Sequence, residues 1–460
     1  MLALDGRKVI VLGLGDTGLS MARWLSARGA RVTVADTRAR PPHAALLARE
    51  LPQVTLECGE IADASVRNAD LIAISPGIDR RLPAVADAVA RGIPVAGDVE
   101  LLAQALRQMR VRPRVIAITG TNGKSTVTQM AGDICVAAGR RTIVAGNIGT
   151  PVLEALDAAQ SGGEPPEVFV LELSSFQLES TASLDADAAA MLNVSEDHLD
   201  RYDGMDDYVK AKQRVFIGNG AQIINRADAR SAGMALAGRA VHRFGTDAPH
   251  GEREWGIAGE GDGAALMRND RALLPLTQLP VAGLHNAANA LAAGALCHAI
   301  GIDDAAMAQA LRAFKGLPHR VEKITTIAGV TYYDDSKGTN VGSTVAALGG
   351  LTQPVVLIAG GDGKGQDFTP LREPVSRRAR AVVLIGRDAG LIAAALDGCG
   401  VPCVNAADMD DAIGHAQALA KDGDAVLLSP ACASFDMFRN YNHRGEVFAD
   451  AVRKRAGHGR

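Results

Sequence analysis

Aromatic residues are scarce in this chain, 3% of 460 residues against 47% hydrophobic, so its cores must be aliphatic and rich in alanine. Such cores suit helices layered on sheets. Cysteine is equally thin: Cys58, Cys135, Cys297, Cys399, Cys403 and Cys432 are scattered. The closest pair, Cys399-Gly-Val-Pro-Cys403, has no second pair or histidine beside it, which argues against a zinc or redox centre. No apolar run reaches the about 18 residues of a membrane span, and no charged, apolar, small-residue leader stands at Met1. The expectation is a cytoplasmic protein with no membrane association. Basic excess is missing too, with a net charge of −4 and dispersed lysines and arginines, so no nucleic-acid footprint is expected. Anionic small molecules must therefore be met by local sites. The length suggests about three domains.

One stretch organises the rest. Ile116-Ala-Ile-Thr119 is an apolar run that empties into Gly120-Thr121-Asn122-Gly123-Lys124-Ser125-Thr126. Val127, Met130, Ala131, Ile134, Cys135 and Ala138 then recur at helical spacing up to Gly139. This is strand, glycine loop, helix. Glycines let backbone N–H groups converge on phosphate oxygens, the helix start adds its positive end, and Lys124 supplies a point charge. Ser125 or Thr126 can hold the accompanying magnesium. The spacing is shorter than G-x-x-x-x-G-K-[ST], because Ile118 stands where the first glycine would be.

Upstream, Lys8 to Leu12 reads as a buried strand, followed by Gly13-Leu14-Gly15-Asp16-Thr17-Gly18, a helix, a strand over Val32 to Ala35, and Asp36. That is the dinucleotide-binding fingerprint: glycines for close approach, a helix start for a pyrophosphate and an acid for a ribose. It specifies a pyrophosphate and a sugar, so a nicotinamide enzyme stays open, although Asp36-Thr37-Arg38 sets a cation beside the acid. A further strand, Ala69 to Ile74, ends in Ser75-Pro76-Gly77, at the sheet edge where such folds bind ligands. The polar linker Arg110 to Arg114 ends this domain.

After the phosphate loop, strand Thr142 to Ala145 leads to Asn147, and Val168 to Leu171 delivers Glu172 where a magnesium-holding acid should sit. Strand Ala188 to Leu192 runs into a loop in which His198 is a candidate ligand for a second divalent ion. The helix from Tyr208 to Phe216 carries Lys210, Lys212 and Arg214, and spacing singles out none of them. Residues 226–271 are rich in glycine and charge and are expected to be irregular surface. His285-Asn286-Ala-Ala-Asn289 opens an alanine-rich helix whose amides can pair with a base edge. From Gly316 on, four apolar strands end in loaded loops: Asp334 to Asn340, Gly360 to Lys364, Gly386, and Ser429 to Asp436. Strands alternating with helices predict a third doubly wound sheet with these loops on its carboxyl edge.

Taken together, Thr119 to Thr126, Glu172-Leu-Ser-Ser-Phe-Gln177, Asn193 to His198, His285-Asn286, Pro318-His319-Arg320 and Asp335-Ser-Lys337 resemble the Mur ligase family of ATP-dependent amino-acid ligases along essentially the whole chain. Asp36-Thr-Arg38, Ser75-Pro-Gly77, Gly360 to Lys364 and Ser429 to Ser434 are similar to its D-glutamate-adding branch, and no Asp-Asn-Pro-Arg motif of the diaminopimelate-adding branch is present. The resemblance implies an α/β protein of three domains: Rossmann-like and UDP-sugar-binding over 1–110, a P-loop-type ATPase with a mainly parallel sheet over 111–316, and Rossmann-like and amino-acid-binding over 317–460. It implies a monomer acting on UDP-N-acetylmuramoyl-L-alanine, ATP and D-glutamate in peptidoglycan precursor synthesis.

By the same resemblance, Gly15, Asp16, Thr17, Asp36, Thr37, Arg38, Ser75, Gly77, Asn147 and Ser174 meet the UDP substrate, and Gly120 to Thr126, Asn286, Asn289, Arg320 and Asp335 meet ATP. Ser125, Glu172, His198 and a carbamylated Lys212 would hold two magnesium ions. Lys124, Glu172, His198, Lys212 and Lys337 would be catalytic, with Lys337 at an acyl-phosphate. Thr339, Lys364, Ser434 and Phe435 would form the D-glutamate pocket. A nicotinamide oxidoreductase leaves Lys124 and Lys337 unexplained, a folate-type polyglutamate ligase has no use for Asp36-Thr-Arg38, and a non-catalytic nucleotide-binding scaffold predicts ATP binding without phosphate release.

Overall fold

Runs of valine, isoleucine and alanine without alternation are what strands buried on both faces require, and here they build three sheets that are mostly parallel. The computed structural model describes residues 4–458 apart from Gly163 and Ala282. The first sheet holds β1 (Lys8–Leu12), β2 (Arg31–Asp36), β3 (Thr55–Cys58), β4 (Leu71–Ile74) and β5 (Val95–Ala96) in the order β3-β2-β1-β4-β5. All its pairs are parallel. Its strand order reverses at β1, which puts a crevice between the loops after β1 and β4.

The second sheet contains β6 (Arg114–Thr119), β7 (Thr142–Gly146), β8 (Val168–Glu172), β9 (Ala188–Met191), β10 (Ala221–Asn225) and β11 (Val241–Phe244). It continues through β12 (Glu254–Ala258), β13 (Ala265–Arg268) and β14 (Arg271–Pro275). The order is β14-β13-β12-β11-β10-β9-β6-β8-β7. Parallel register sets Ile118 beside Glu172 and Thr119 beside Met191, so the phosphate loop, Glu172 and the Asn193–His198 loop leave one edge at one level. The third sheet holds β15 (Glu322–Ile327), β16 (Val330–Asp334), β17 (Val355–Gly360), β18 (Ala379–Ile385), β19 (Cys403–Asn405) and β20 (Ala425–Leu428), ordered β15-β16-β20-β17-β18-β19. Only β15 pairs antiparallel. Among the described residues no helix is long and apolar enough to cross a membrane.

The expectation of irregular surface over 226–271 is corrected. This stretch forms β11, β12 and β13 and starts β14, extending the middle sheet at one edge. The strands are short and half-polar, with antiparallel pairing that begins at β12, so the buried-strand signature is absent. Two residues, Asn269 and Asp270, turn the β13–β14 hairpin, with Asn269 at φ 54°. Trp255 on β12 is fully buried, and a side-chain carbon at Gly294 of the helix Leu284–Ala299 would stand 2.9 Å from its ring.

The apolar clusters divide the molecule unequally. One cluster runs from Val9, Trp24 and Leu101 in the first unit to Phe169, Leu178 and Phe216 in the second. The clusters on the two faces of the third sheet draw only on residues from Val321 onward. The first two units are thus joined through a shared core. Replacing Trp255 by alanine should cost ~3–5 kcal/mol of unfolding free energy, the range for buried aromatic truncation, measured by urea titration; a loss below ~1 kcal/mol would mean the edge strands carry no core.

Candidate active site

The glycine loop after β6 is shaped by two positions that only glycine suits. Gly123 caps the helix Lys124–Ala137 with φ 82°, and a Cβ there would fall 2.5 Å from Asn289 Oδ1. Gly120, at φ 157°, passes so close to Leu192 that a Cβ would be 2.9 Å from its Cβ. Asn193, at the end of β9, braces the loop: its Oδ1 accepts from Asn122 N at 2.8 Å and its Nδ2 donates to Asn122 O at 3.0 Å. Lys124 Nζ donates to the carbonyls of Gly120 and Thr121 at 2.9 and 2.8 Å, and burial lowers its pKa.

Beside it lies a cavity of about 260 Å³ lined by Lys124, Ser125, Glu172, His198, Lys212, Arg320, Lys337, Thr339 and Lys364. Glu172 is buried; its Oε1 accepts from Asn147 Nδ2 at 2.9 Å, while its Oε2 meets no donor. His198, at φ 56°, packs edge-on against Phe176. Burial pushes its imidazole down to about 4, which leaves a ring nitrogen lone pair free for a cation at neutral pH. Of the three cations on the helix Met205–Gln213 and the turn after it, Lys210 is exposed and Arg214 is tied to the carbonyls of Leu178 and Thr181. Lys212 alone points inward. Its amine donates to Gly120 O at 2.8 Å, and burial together with Lys124 holds its pKa well below the usual lysine value. An orphaned carboxylate oxygen, a neutral imidazole and the Ser125 hydroxyl form a donor set that fits a hard divalent cation.

Among the described residues, the one trio of His, Cys, Asp or Glu ligand atoms within 4.8 Å is His319, Glu322 and Asp334. It is satisfied internally. Asp334 takes His319 Nδ1 at 2.6 Å and Ser336 N at 2.8 Å, and Glu322 takes His319 N at 3.0 Å.

A second cavity, about 380 Å³, continues from the loop past Thr126, His285, Asn286 and Asn289 to Arg320, Asp335 and Lys337. Arg320 Nη2 donates to Ser125 Oγ at 2.8 Å. Asp335 accepts from Ser429 Oγ at 2.6 Å, and burial raises its carboxyl to about 7. Lys337 Nζ sits 3.7 Å above the centroid of the Tyr441 ring, and burial lowers it to about 8. Both groups leave the carboxyl edge of the third sheet.

The first sheet's crevice is a cavity of about 590 Å³ lined by Gly15, Asp16, Thr17, Asp36, Thr37, Arg38, Ser75, Gly77 and Asn147. Asp36 is committed to the chain itself: it accepts from Leu14 N at 2.6 Å and from the backbone N, Nε and Nη2 of Arg38. Arg38 holds its carboxyl down at about 2. With its oxygens so occupied, the cation of Arg38, not a ribose-binding acid, is what faces the crevice. Asn147 lines both this cavity and the central one, and Ser174 lines the central one.

Of the four residues expected around an amino acid, Thr339 and Lys364 line the central cavity. Ser434 is buried outside its lining and Phe435 is 73% exposed, so in this arrangement they stand apart. Two residues of the Asn193–His198 segment, given no role in the sequence reading, matter here. Asn193 braces the phosphate loop, and Asp197 takes Lys364 Nζ at 2.5 Å across the seam between the second and third units. An asparagine directly after the strand next to the glycine loop was the available signal for the first. The second pairs residues 167 positions apart and had none. Asn340 and Ser343 add bonds to Asn122 Oδ1 at 3.0 and 2.7 Å. Lys364→Met should therefore loosen the seam: amide hydrogen exchange is expected to rise over 193–198 and 340–343 while β17 stays protected, and unchanged exchange there would reject the ion pair as a clasp.

Models of known families match three successive stretches: the Mur ligase MurD-like N-terminal domain over residues 7–97, the Mur ligase middle domain over 118–297, and the Mur ligase glutamate ligase domain over 319–432. The UDP-N-acetylmuramoylalanine–D-glutamate ligase of Thiobacillus denitrificans is 56% identical over 99% of this chain and 98% of its own. That of Methylobacillus flagellatus is 55% identical over 98% of both. Among solved structures, a pseudomurein peptide ligase type C from Methanothermus fervidus shares the fold, with TM-score 0.62 and 19% identity over 98% of this chain and 100% of that one. Two cavities sharing the glycine loop, a third joined to the central one at Asn147, three successive family matches and relatives alike over nearly the full length lead to one conclusion: the chain belongs to the Mur ligase family.

Proposed function

We propose that this protein is an ATP-dependent, ADP-forming ligase that joins D-glutamate to UDP-N-acetylmuramoyl-L-alanine in peptidoglycan precursor synthesis. The observation that carries the reading is the meeting of Lys124, Glu172, Lys212 and Lys337 around one cavity, flanked by a nucleotide-sized cavity and by the crevice of the first sheet. The names of the full-length relatives supply the amino acid and its acceptor. ATP and UDP-sugars are cytoplasmic metabolites, which supports that location.

In this reading the UDP moiety lies over Gly15–Thr17 and Arg38, with Asn147 where the acceptor passes into the central cavity. ATP spans the second cavity, its base toward Asn286 and Asn289 and its phosphates on the 120–126 loop. Ser125, Glu172, His198 and Lys212 would hold two magnesium ions, which when bound neutralise charge on the transferring phosphoryl group. Lys212 takes part as its carbamate. The neutral amine attacks carbon dioxide, an N–C bond forms, a proton leaves, and the product is an anionic oxygen ligand. Its suppressed basicity and full burial support that step.

The chain's own groups do the rest. The acceptor carboxylate attacks the γ-phosphorus, ADP leaves, and Lys124 and Lys337 face the negative charge of the acyl-phosphate. The amine of D-glutamate, its carboxylate drawn by Lys364 and Thr339, attacks the acyl carbon. Phosphate departs with the electron pair and an amide remains. Enclosure by the third unit keeps water from the acyl-phosphate.

Phosphate release with ATP, magnesium and UDP-N-acetylmuramoyl-L-alanine should require D-glutamate and fail with L-glutamate or L-lysine, and should drop at least about 100-fold in Lys124→Ala; release independent of the amino acid would end the ligase reading. Lys212→Ala should be inactive and regain turnover with added acetate, a short carboxylate standing in for the carbamate; full activity without acetate would remove the carbamate.

A further inference from the structure

The seam between the first two units contains a buried acid that none of the roles above uses. Asp98 opens the helix Asp98–Arg107 and is 1% exposed. Its Oδ2 accepts from Gln177 Nε2 at 3.3 Å, and its Oδ1 meets no donor. Burial raises its pKa to about 6, and toward Gln177 it acts as the acceptor. Leaving a carboxylate oxygen buried and unpaired is costly, and an asparagine could share the same space without a charge.

What the carboxylate does is orient its partner. The Gln177 amide lies between an acceptor and an obligate donor: its Nε2 donates to Asp98 and its Oε1 faces the Ser174 N–H, so both neighbours hold it in one orientation. The Oε1 atom accepts from Ser174 N at 3.1 Å and Ser174 Oγ at 3.2 Å, while Gln177 N donates back to Ser174 Oγ at 3.2 Å. The two halves form a capping box at the start of the helix Ser175–Glu179. The Ser174 hydroxyl has therefore given up its hydrogen and one lone pair, and one acceptor lone pair remains. Ser174 lines the central cavity, and Gln177 lines the crevice of the first sheet.

The frame around this chain is stiff. Gly97 N donates to Ser180 O at 3.3 Å, and a Cβ at Gly97 would lie 2.2 Å from Ser180 Oγ. Glu100 Oε2 takes Ala182 N at 2.7 Å and Ser183 N at 2.8 Å, and its Oε1 takes Ser183 Oγ at 2.7 Å. The first unit thus grips the 174–183 segment of the second at three successive points.

We propose that Asp98 is a positioning residue for the acceptor substrate: by fixing the orientation of the Gln177 amide it commits Ser174 to act only as a hydrogen-bond acceptor, toward an N–H donor of the substrate's amide-linked arm. The inference rests on the placement of the UDP-linked acceptor in these two cavities.

The test uses the full chain and three measurements: KM for each substrate, kcat, and thermal midpoint. Asp98→Asn replaces an acceptor-only carboxylate by an amide that can also donate, so Gln177 is held less firmly in one orientation and KM for the UDP-linked substrate should rise about tenfold with kcat and the KM for ATP unchanged. The double variant Asp98→Asn/Gln177→Glu exchanges amide and acid and keeps an acceptor toward Ser174, so it should return that KM to within about threefold of the wild type. An unchanged KM in Asp98→Asn overturns the proposal. So does a uniform loss in kcat, all KM values and thermal midpoint that the double variant fails to recover. If Asp98→Asn does not fold, the double variant decides: a folded protein with near-normal KM supports the proposal, and a raised KM or a second failure to fold overturns it. Absence of turnover in the wild type would overturn the functional reading and this inference with it, whereas normal wild-type turnover with an indifferent Asp98→Asn overturns the inference alone.

Discussion

Five basic side chains, Lys124, Lys212, Arg320, Lys337 and Lys364, line the central cavity against two acids, Glu172 and Asp197, and the rest of the structure is arranged around tolerating that imbalance. Like charges a few ångströms apart repel strongly where the effective dielectric is far below that of water. Each cation has found a partner in the chain itself. Lys124 and Lys212 lean on the carbonyl of Gly120, Arg320 on the Ser125 hydroxyl, Lys337 on the face of Tyr441, and Lys364 on Asp197. Burial first, and the neighbouring cations after it, lower the pKa values of Lys124, Lys212 and Lys337. A polyanion with its counter-cations is the ligand that such a site is built to receive, which is why ATP chemistry follows from electrostatics as much as from the glycine loop.

The units around this cavity are joined in two different ways. Between the first and second, a continuous apolar core and the buried carboxylates of Asp98 and Glu100 make a fixed joint. Between the second and third, the contacts that close the site are polar: the Lys364–Asp197 ion pair, the Arg320 bond to Ser125, and the bonds that Asn340 and Ser343 make to Asn122 and Asp197. Polar contacts of this kind exchange readily with water, whereas a shared core does not. In the proposed function the fixed joint lies where the acceptor is held across two cavities, and the polar contacts lie where the amino acid enters.

Much of this was legible in the chain. The strand, loop and helix around Lys124 are local, and each local preference agrees with the others, as the consistency of a foldable sequence requires. The glycines of the first loop likewise announced a pyrophosphate-sized crevice. What they could not announce was the state of Asp36, since the same acid that would bind a ribose in a dinucleotide enzyme is here taken up by Arg38, two residues along. Periodicity also failed over 226–271, where short strands take their order from the sheet edge they extend and from Trp255 packing under a distant helix.

The sequence by itself determined the α/β architecture, the phosphate loop and the chemical types gathered for phosphoryl transfer, because these depend on contacts among neighbours along the chain. Spacing left Lys210 and Lys212 undivided and the resemblance pointed to Lys212, which the structure turns inward; only the tertiary structure decided that Glu172 keeps one oxygen uncommitted, that Asp197 clasps Lys364, and that Phe435 stands outside the cavity lining. Burial, hydrogen-bond saturation and pairing across more than a hundred residues are properties of packed surfaces, and a linear order of side chains does not contain them until the sheets have been brought edge to edge.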